Sequence, residues 1–323
     1  MTDLIENLGQ YYEQSVFTSY IPSPPAYVGL DITEYRYPVD ERPFIEHFTQ
    51  VKPALIHVHY WGDCDEPWYV KAFKAAEQLG IPVVENINTP VTPYSSSAVT
   101  RYVYVSDYVR RVFGKDGPAH LTIYPGSDFA HFYREENEPR AENCVGMVYR
   151  MERDKLNEAS ILPFICAAKK RPNTHVLIVG GGSLLEEYKR AVAEAGVMRN
   201  FEFTDYVSYE KLPELYRRMA VFVAPAWKES FGQVSPFAMN MKIPVCGYDV
   251  GAIGEIVDNP ALLAPAADAE RLAEIMVRLL DSPGERKAVG EQQHRRAQEY
   301  FSVQAMTNSY LEIYQHLTGV PAK

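Results

Sequence analysis

Short runs of β-branched and aromatic residues alternate with amphipathic stretches along this chain, and the alternation occurs in two successive series. Strand and helix in alternation imply a mainly parallel sheet covered by helices. In the first series SVFTSYI, AYVGLDITEY, PALIHVHYW, IPVVENI, RYVYVS and LTIYPGS read as strands. Helices are expected from Asp3 to about Gln14 and from about Pro67 to Gln78, and Asp107 is placed to cap a third. In the second series the expected strands are CVGMVYR, HVLIVGGGS, FEFTDYV, AVFVAPAW and IPVCGYD. The expected helices there are LLEEYKRAVAEAG, KLPELYRRM, SPFAMNM, DAERLAEIMVRLL and SVQAMTNSYLEIYQHL. The polar run REENEPRAEN, residues 134–143, has no apolar periodicity and contains a proline, so it reads as the linker. A length of 323 residues also favours two domains.

Hydrophobic residues make up 46% of the chain, enough for two cores. The cysteines Cys64, Cys144, Cys166 and Cys246 lie far apart with no CxxC pair, which argues against a disulfide scaffold or zinc ribbon and fits a reducing cytoplasm. The opening MTDLIENLGQYYEQ lacks a basic segment followed by an apolar run, so no signal peptide is expected. The net charge of −10 is uneven, with residues 1–138 holding ten Lys plus Arg against nineteen Asp plus Glu. That balance disfavours binding to nucleic-acid phosphates and to anionic lipid.

Three segments carry chemistry. The first is Lys228-Glu229-Ser230-Phe231-Gly232-Gln233 with Phe237 and Asn240, between a buried strand and a helix. Gly232 permits close backbone approach to a ligand, and amides of residues 231–233 at a helix start suit anions and hydroxyls. Glu229 is placed either to accept bonds from sugar hydroxyls or to face solvent. The second is Tyr149-Arg150-Met151-Glu152-Arg153-Asp154-Lys155, at a strand's carboxyl end, where open α/β sheets bind ligands. Fixed cations at Arg150 and Lys155 suit the charge on a departing diphosphate. Arg153 and Glu152 read as solvated loop charges. The third is Gly180-Gly181-Gly182-Ser183, either a phosphate cradle or a plain tight turn.

Residues 144–319 resemble the donor half of the retaining glycosyltransferases of family four, also called glycosyl transferases group 1. The stretches that carry the resemblance are VYRMERDK, HVLIVGGG, FTDYVSYEKLPELYRRMAVFVAPAWKESFG, KIPVCGYDVGAIGEIV and LEIYQHL. The first half resembles the acceptor domain in PALIHVHYW, IPVVENINTP, YVYVSDYVRRVF and TIYPGSDFAHF. The resemblance implies a GT-B fold with two Rossmann-like domains facing across a cleft, retention of configuration, and no obligatory metal. Arg150 and Lys155 match the family's basic pair, and Glu229 matches the first residue of its Glu-x7-Glu signature. By the same resemblance Gly181, Gly182, Ser230, Phe231, Gly232, Gln233, Phe237 and Asn240 border the donor.

Three departures from the family pattern stand out. Phe237 replaces the second signature Glu, which holds ribose hydroxyls in the family. Its ring is expected to pack against ribose or base, with Asn240 or backbone taking over the hydroxyls. The chain opens in what resembles the helix after the family's first strand and Gly-rich loop, so the first domain is expected to lack that strand. A His common after IPVV is replaced by Asn88, which with His59 is expected on the acceptor side. Asp63-Cys64-Asp65 spells a metal-binding DxD, but two plain loop carboxylates are the expected reading, and His57 is expected to be packed.

The expectation is therefore a GT-B chain with an acceptor domain at 1–138, a donor domain at 139–305 and a terminal helix, 306–323, crossing back to the first domain. It would use a UDP- or GDP-linked sugar as substrate, with no cofactor or metal. A second protein chain, or an upstream extension absent from this sequence, would complete the first domain, unless that element has simply been shed. The alternatives are a non-catalytic GT-B-like subunit or sugar-nucleotide-binding partner of a glycosyltransferase complex, and a nucleotide-sugar epimerase of similar fold.

Overall fold

The computed structural model describes residues 2–21, 32–36, 40–62 and 66–319. It divides the chain into two compact units, one of residues 1–126 with 303–323 and one of residues 127–302.

The first unit opens with α1 (Thr2–Leu8), then β1 (Val16–Thr18), β2 (Ile32–Glu34), α2 (Arg42–Val51), β3 (Ile56–Tyr60), α3 (Glu66–Leu79), β4 (Val83–Ile87), β5 (Val99–Tyr104), α4 (Asp107–Phe113) and β6 (His120–Thr122). β3, β4, β5 and β6 form a parallel sheet in that order, with β3 at one edge, while β1 and β2 pair with each other in a separate parallel sheet. The second unit follows with β7 (Cys144–Val148), α5 (Leu162–Lys170), β8 (His175–Val179), α6 (Leu185–Glu194), β9 (Phe201–Phe203), α7 (Leu212–Arg217), β10 (Val221–Ala224), α8 (Val234–Asn240), β11 (Val245–Tyr248), α9 (Ile253–Val257), β12 (Leu263–Ala264), α10 (Ala269–Asp281) and α11 (Pro283–Tyr300). Its six strands are all parallel, in the order β12-β11-β10-β7-β8-β9. The last helix, α12 (Val303–Thr318), belongs to the first unit.

Every residue of β7, β10 and β11 is buried, which is why these segments read as unbroken apolar runs rather than alternating ones. In the first unit the sheet has two apolar faces. Val84 and Val103 pack against Leu4 and Leu8 of α1 and Met306, Tyr310, Ile313 and Tyr314 of α12. On the other face Val58, Tyr60 and Val83 pack against Phe73 and Ala76 of α3. Phe17 of β1 joins Phe44, Phe48 and Trp68 in an aromatic cluster.

Several expectations need correction. The first helix ends at Leu8 rather than Gln14, because Gly9 follows and the amides of Tyr11 and Tyr12 fold back onto the Leu8 carbonyl. α4 is capped by Ser106, whose hydroxyl accepts from the Val109 amide, whereas Asp107 binds Arg110 and Thr122 instead. The boundary lies at 126/127 rather than 138/139. Residues 134–143 are not a linker between units, since Arg134 donates to the Arg217 carbonyl and Glu138 pairs with Arg217 inside the second unit. The terminal helix runs from Val303 to Thr318, within one residue of the expected SVQAMTNSYLEIYQHL at each end. Helices α2, α5, α9 and α11 had no counterpart in the expected pattern. α11 is polar on nearly every side, so no apolar stripe marks it. Part of AYVGLDITEY and all of Asp63-Cys64-Asp65 lie outside the described residues. Among the described residues no helix is long and apolar enough to cross a membrane.

Candidate functional site

In the second unit the carboxyl ends of neighbouring strands β10, β7 and β8 carry the three segments singled out above. Leaving β10, the chain runs beside the loop after β7. The Trp227 amide donates to the Lys155 carbonyl at 3.0 Å, and the Trp227 indole donates to the Leu156 carbonyl at 3.0 Å. These two bonds bring Glu229 to Lys155, whose Nζ donates to Glu229 Oε1 at 2.6 Å. The same oxygen accepts from the Ser230 amide at 3.1 Å.

The Glu229 side chain has no exposed surface, while Lys155 is 40% exposed. The Glu229 carbonyl accepts from the Ala252 amide, and a Cβ on Gly251, which holds φ of +58°, would overlap that carbonyl. Glu229 is thus fixed from both sides while its Oε2 has no hydrogen-bond partner among the described residues. A buried carboxylate oxygen without a donor is costly, so this one is an acceptor open to a further partner.

Tyr149 opens the second segment but was given no role of its own by sequence. Its buried hydroxyl also has no partner among the described residues, and burial raises its pKa well above the usual phenol range, with the Glu229 charge adding to the effect. The sequence signal was a polar-tipped aromatic at the end of an apolar strand, beside a basic residue. Arg150 itself is open to solvent, its side chain 73% exposed, and pairs with Asp154 at 2.9 Å. Arg153 pairs with Glu158 and Glu187, and Glu152 accepts from the amide and hydroxyl of Ser183. Those loop charges are therefore internally paired.

The glycine run turns beside β7. A Cβ on Gly180 would overlap the Tyr149 carbonyl, and one on Gly182 would meet the Met151 carbonyl. Close packing of backbone on backbone therefore explains Gly180 and Gly182 without a ligand. Gly181 lies against Asp205 and Tyr206 at the end of β9. Gly232, with φ of +83°, follows Phe231, which is buried, and precedes Gln233, whose amide donates to the Ser127 hydroxyl at 3.2 Å.

Phe237 and Asn240 turn out to be interior residues. The Phe237 ring stacks on Phe132 at 3.9 Å between centroids with 7° between planes, and Tyr209 meets it edge-on. Asn240 donates to the Phe132 carbonyl at 2.7 Å, and its oxygen accepts from Gln298. Where the expectation set Phe237 against the ribose and Asn240 against its hydroxyls, the structure shows them packed on Phe132 and bonded to its carbonyl. Both side chains serve the core of the second unit.

In the first unit His59 and Asn86 are opposite one another on β3 and β4, one row nearer the carboxyl ends than His57 and Val84. His57 Nδ1 lies 2.6 Å from the Tyr314 hydroxyl, and the two imidazoles stack at 4.4 Å. Asn86 accepts from the Tyr310 hydroxyl at 2.9 Å, donates to Asn88 Oδ1 at 2.8 Å and lies 3.3 Å from His59 Nδ1. Burial lowers the pKa of His57 well below the usual range and that of His59 to about 4, so both rings are neutral at pH 7. His57 is packed, as expected. Among the described residues no group of three or more His, Cys, Asp or Glu side chains is arranged to hold a metal ion.

Residues 129–296 match the family model of glycosyl transferases group 1, just over half of the chain. The chain is 24% identical over 307 residues to D-inositol 3-phosphate glycosyltransferase of Rhodococcus jostii, covering 82% of this chain and 66% of that protein. It is 33% identical over 109 residues to 2-deoxystreptamine glucosyltransferase of Streptomyces kanamyceticus, covering 33% of this chain and 28% of that one. The match thus spans less than two thirds of either relative's length. Among solved structures, a Rickettsia africae glycosyltransferase superposes with a TM-score of 0.75 at 16% identity, over 89% of this chain and 85% of that one. Anabaena HepE, solved with UDP and glucose, superposes with a TM-score of 0.70 at 15% identity, over 89% and 86%. The fold class is α/β of the GT-B type, with a Rossmann-like parallel sheet in each unit. This chain belongs to the glycosyl transferases group 1 family.

Proposed function

We propose that the chain transfers a sugar from a UDP- or GDP-linked donor to a hydroxyl-bearing acceptor, with retention and without a metal. The observation that carries this reading is the Lys155–Glu229 pair, whose buried Glu229 Oε2, like the Tyr149 hydroxyl at the end of β7, has no hydrogen-bond partner among the described residues. A rigid acceptor and a donor together suit the hydroxyls of a donor sugar. Arg150 and Lys155 bind the diphosphate. Lys155 can hold Glu229 and an anion at once, because an ammonium carries three donors. Gly181, Gly182, Ser230, Phe231, Gly232 and Gln233 border the donor through backbone.

In the transfer, the acceptor oxygen bonds to the anomeric carbon while the bond from that carbon to the β-phosphate oxygen breaks. The acceptor proton passes to the departing phosphate, on the face it leaves. Holding both partners in place and neutralising the diphosphate supply the rate. His59 and Asn88 serve the acceptor side. HepE, of the same fold, was solved with UDP and glucose, which supports a nucleotide-sugar donor.

The chain acts in the cytoplasm, and a second polypeptide supplies a further strand to the first unit. The latter rests on β3 being, among the described residues, the edge of its sheet while β1 and β2 pair with each other. The mass in solution, with and without candidate partners, tests it. One observation favours a second reading, a non-catalytic subunit: the family's ribose-binding position is occupied by a stacked core ring, Phe237. Incubation with a panel of nucleotide sugars and mixed acceptors separates the two. Glycoside product supports the transferase, and absence of both turnover and nucleotide binding supports the subunit.

A further inference from the structure

The first unit holds a graded row of polar side chains that begins in its core and ends at solvent. His57 and His59 alternate along β3 on the face covered by α12, opposite Val84 and Asn86 of β4. Tyr314 closes the inner end through His57, and Tyr310 binds Asn86 one turn earlier on α12. The pairing of Tyr60 with Ile87 makes Trp61 and Asn88 the next residues beyond the sheet end.

There the environment changes. Trp61 is 57% exposed, while Trp68 on α3 is buried. The Trp61 carbonyl accepts from the Thr89 hydroxyl at 3.4 Å, which ties the two strand ends together. Asn88 Oδ1 is taken by Asn86, so the amide nitrogen is the half of Asn88 left to donate. With Nδ1 of His59 facing the Asn86 amide donor, the imidazole proton sits on Nε2.

We infer that Trp61 is the platform, and Asn88 and His59 the donors, of a carbohydrate-acceptor subsite at the carboxyl end of β3 and β4. This rests on the transferase reading above and names the acceptor class: a pyranose rather than a lipid alcohol or peptide hydroxyl. The axial C–H bonds of a pyranose carry slight positive charge and meet the negative face of an indole. Its hydroxyl oxygens accept from neutral N–H donors that a buried hydrogen-bond chain has already oriented, so little ordering remains to be done on binding. A membrane role for the exposed indole is disfavoured by the acidic balance of residues 1–138, which repels anionic lipid.

The test uses the full chain and a panel of methyl α- and β-glycosides of glucose, galactose, mannose and N-acetylglucosamine, with binding read by saturation-transfer NMR. UDP and GDP affinity is measured in parallel. At least one glycoside is expected to bind, with strongest transfer at ring C–H protons. Trp61→Ala should weaken that binding by about tenfold, the scale of an aromatic contact, while Trp61→Phe keeps most of it and nucleotide affinity stays unchanged in both. No glycoside bound by the natural chain, or equal binding by Trp61→Ala, overturns the inference. So does a Trp61→Ala loss confined to phosphatidylcholine–phosphatidylglycerol vesicles. Failure of the natural chain to bind either nucleotide would instead defeat the transferase reading, whatever the glycosides do.

Discussion

Phe237 lies flat on Phe132, the ring centroids 3.9 Å apart and the planes within 7°. The pair is an apolar contact made from the middle of α8, and it belongs to a wider cluster with Tyr209 and Tyr216. Restoring the family's carboxylate by Phe237→Glu therefore buries a charge among rings rather than returning a ribose contact. The cost should be on the order of 3 kcal/mol. A thermal melt of the variant should show a fall of about 6–12 °C. The natural chain should discriminate weakly between ribo- and 2′-deoxyribonucleoside diphosphates. A strong ribose preference in calorimetry would show that another group holds the ribose.

Arg150 and Lys155 should each contribute about 1.5–3 kcal/mol to nucleoside-diphosphate binding, the range for a charge-assisted contact. Their variants should differ in stability. Arg150→Ala removes an exposed side chain and leaves the fold unperturbed. Lys155→Ala strands the buried Glu229 carboxylate and lowers the melting temperature as well. Adding Glu229→Gln to Lys155→Ala should recover melting but not affinity. Unchanged affinity in both single variants would remove the diphosphate assignment.

The strand pattern was legible because a parallel sheet buried on both faces needs unbroken apolar runs, and β7, β8, β10 and β11 are such runs. The basic segment and the Glu229 segment were legible as motifs. That Lys155 and Glu229 touch was not, because the contact depends on two main-chain bonds made by Trp227. The stacking of Phe237 was hidden for a similar reason: its partner Phe132 is more than a hundred residues away, in a stretch assigned to the other domain. α11 escaped because a helix that is polar nearly all round carries no 3.6-residue apolar stripe.

Donor binding and transfer should persist in excess chelator, since Arg150 and Lys155 would supply the charge that a metal supplies elsewhere. The assay is turnover and nucleotide affinity before and after chelation, in the natural chain and in Asp63→Ala. A strict requirement for magnesium or manganese, abolished by Asp63→Ala, would reverse this prediction and make the DxD sequence a metal site.

Glu85 gives the first unit a pH-dependent stability that can be isolated with one substitution. It sits on β4 with no exposed surface. Its Oε1 accepts from the Tyr94 amide at 2.8 Å, and its Oε2 has no partner among the described residues. Burial pushes its pKa up to about 8, against the smaller opposing effect of the Tyr94 amide. Between the ordinary carboxyl value and about 8, the folded chain holds this proton and the unfolded chain has lost it. Stability therefore falls as pH rises through that window, by about 1.4 kcal/mol per pH unit at most, and levels off above it. His57 and His59 act in the opposite sense, because their folded pKa values are depressed. Their contribution is complete above the usual imidazole value, so the decline from Glu85 is clearest between about pH 6.5 and 8. Glu85→Gln keeps the shape and the acceptor for the Tyr94 amide while removing the titration. Its melting temperature should stay flat over that interval while the natural chain's declines, and the gap between them should widen with pH. Parallel curves for the two proteins would mean that Glu85 ionises in the folded chain as readily as in the unfolded one.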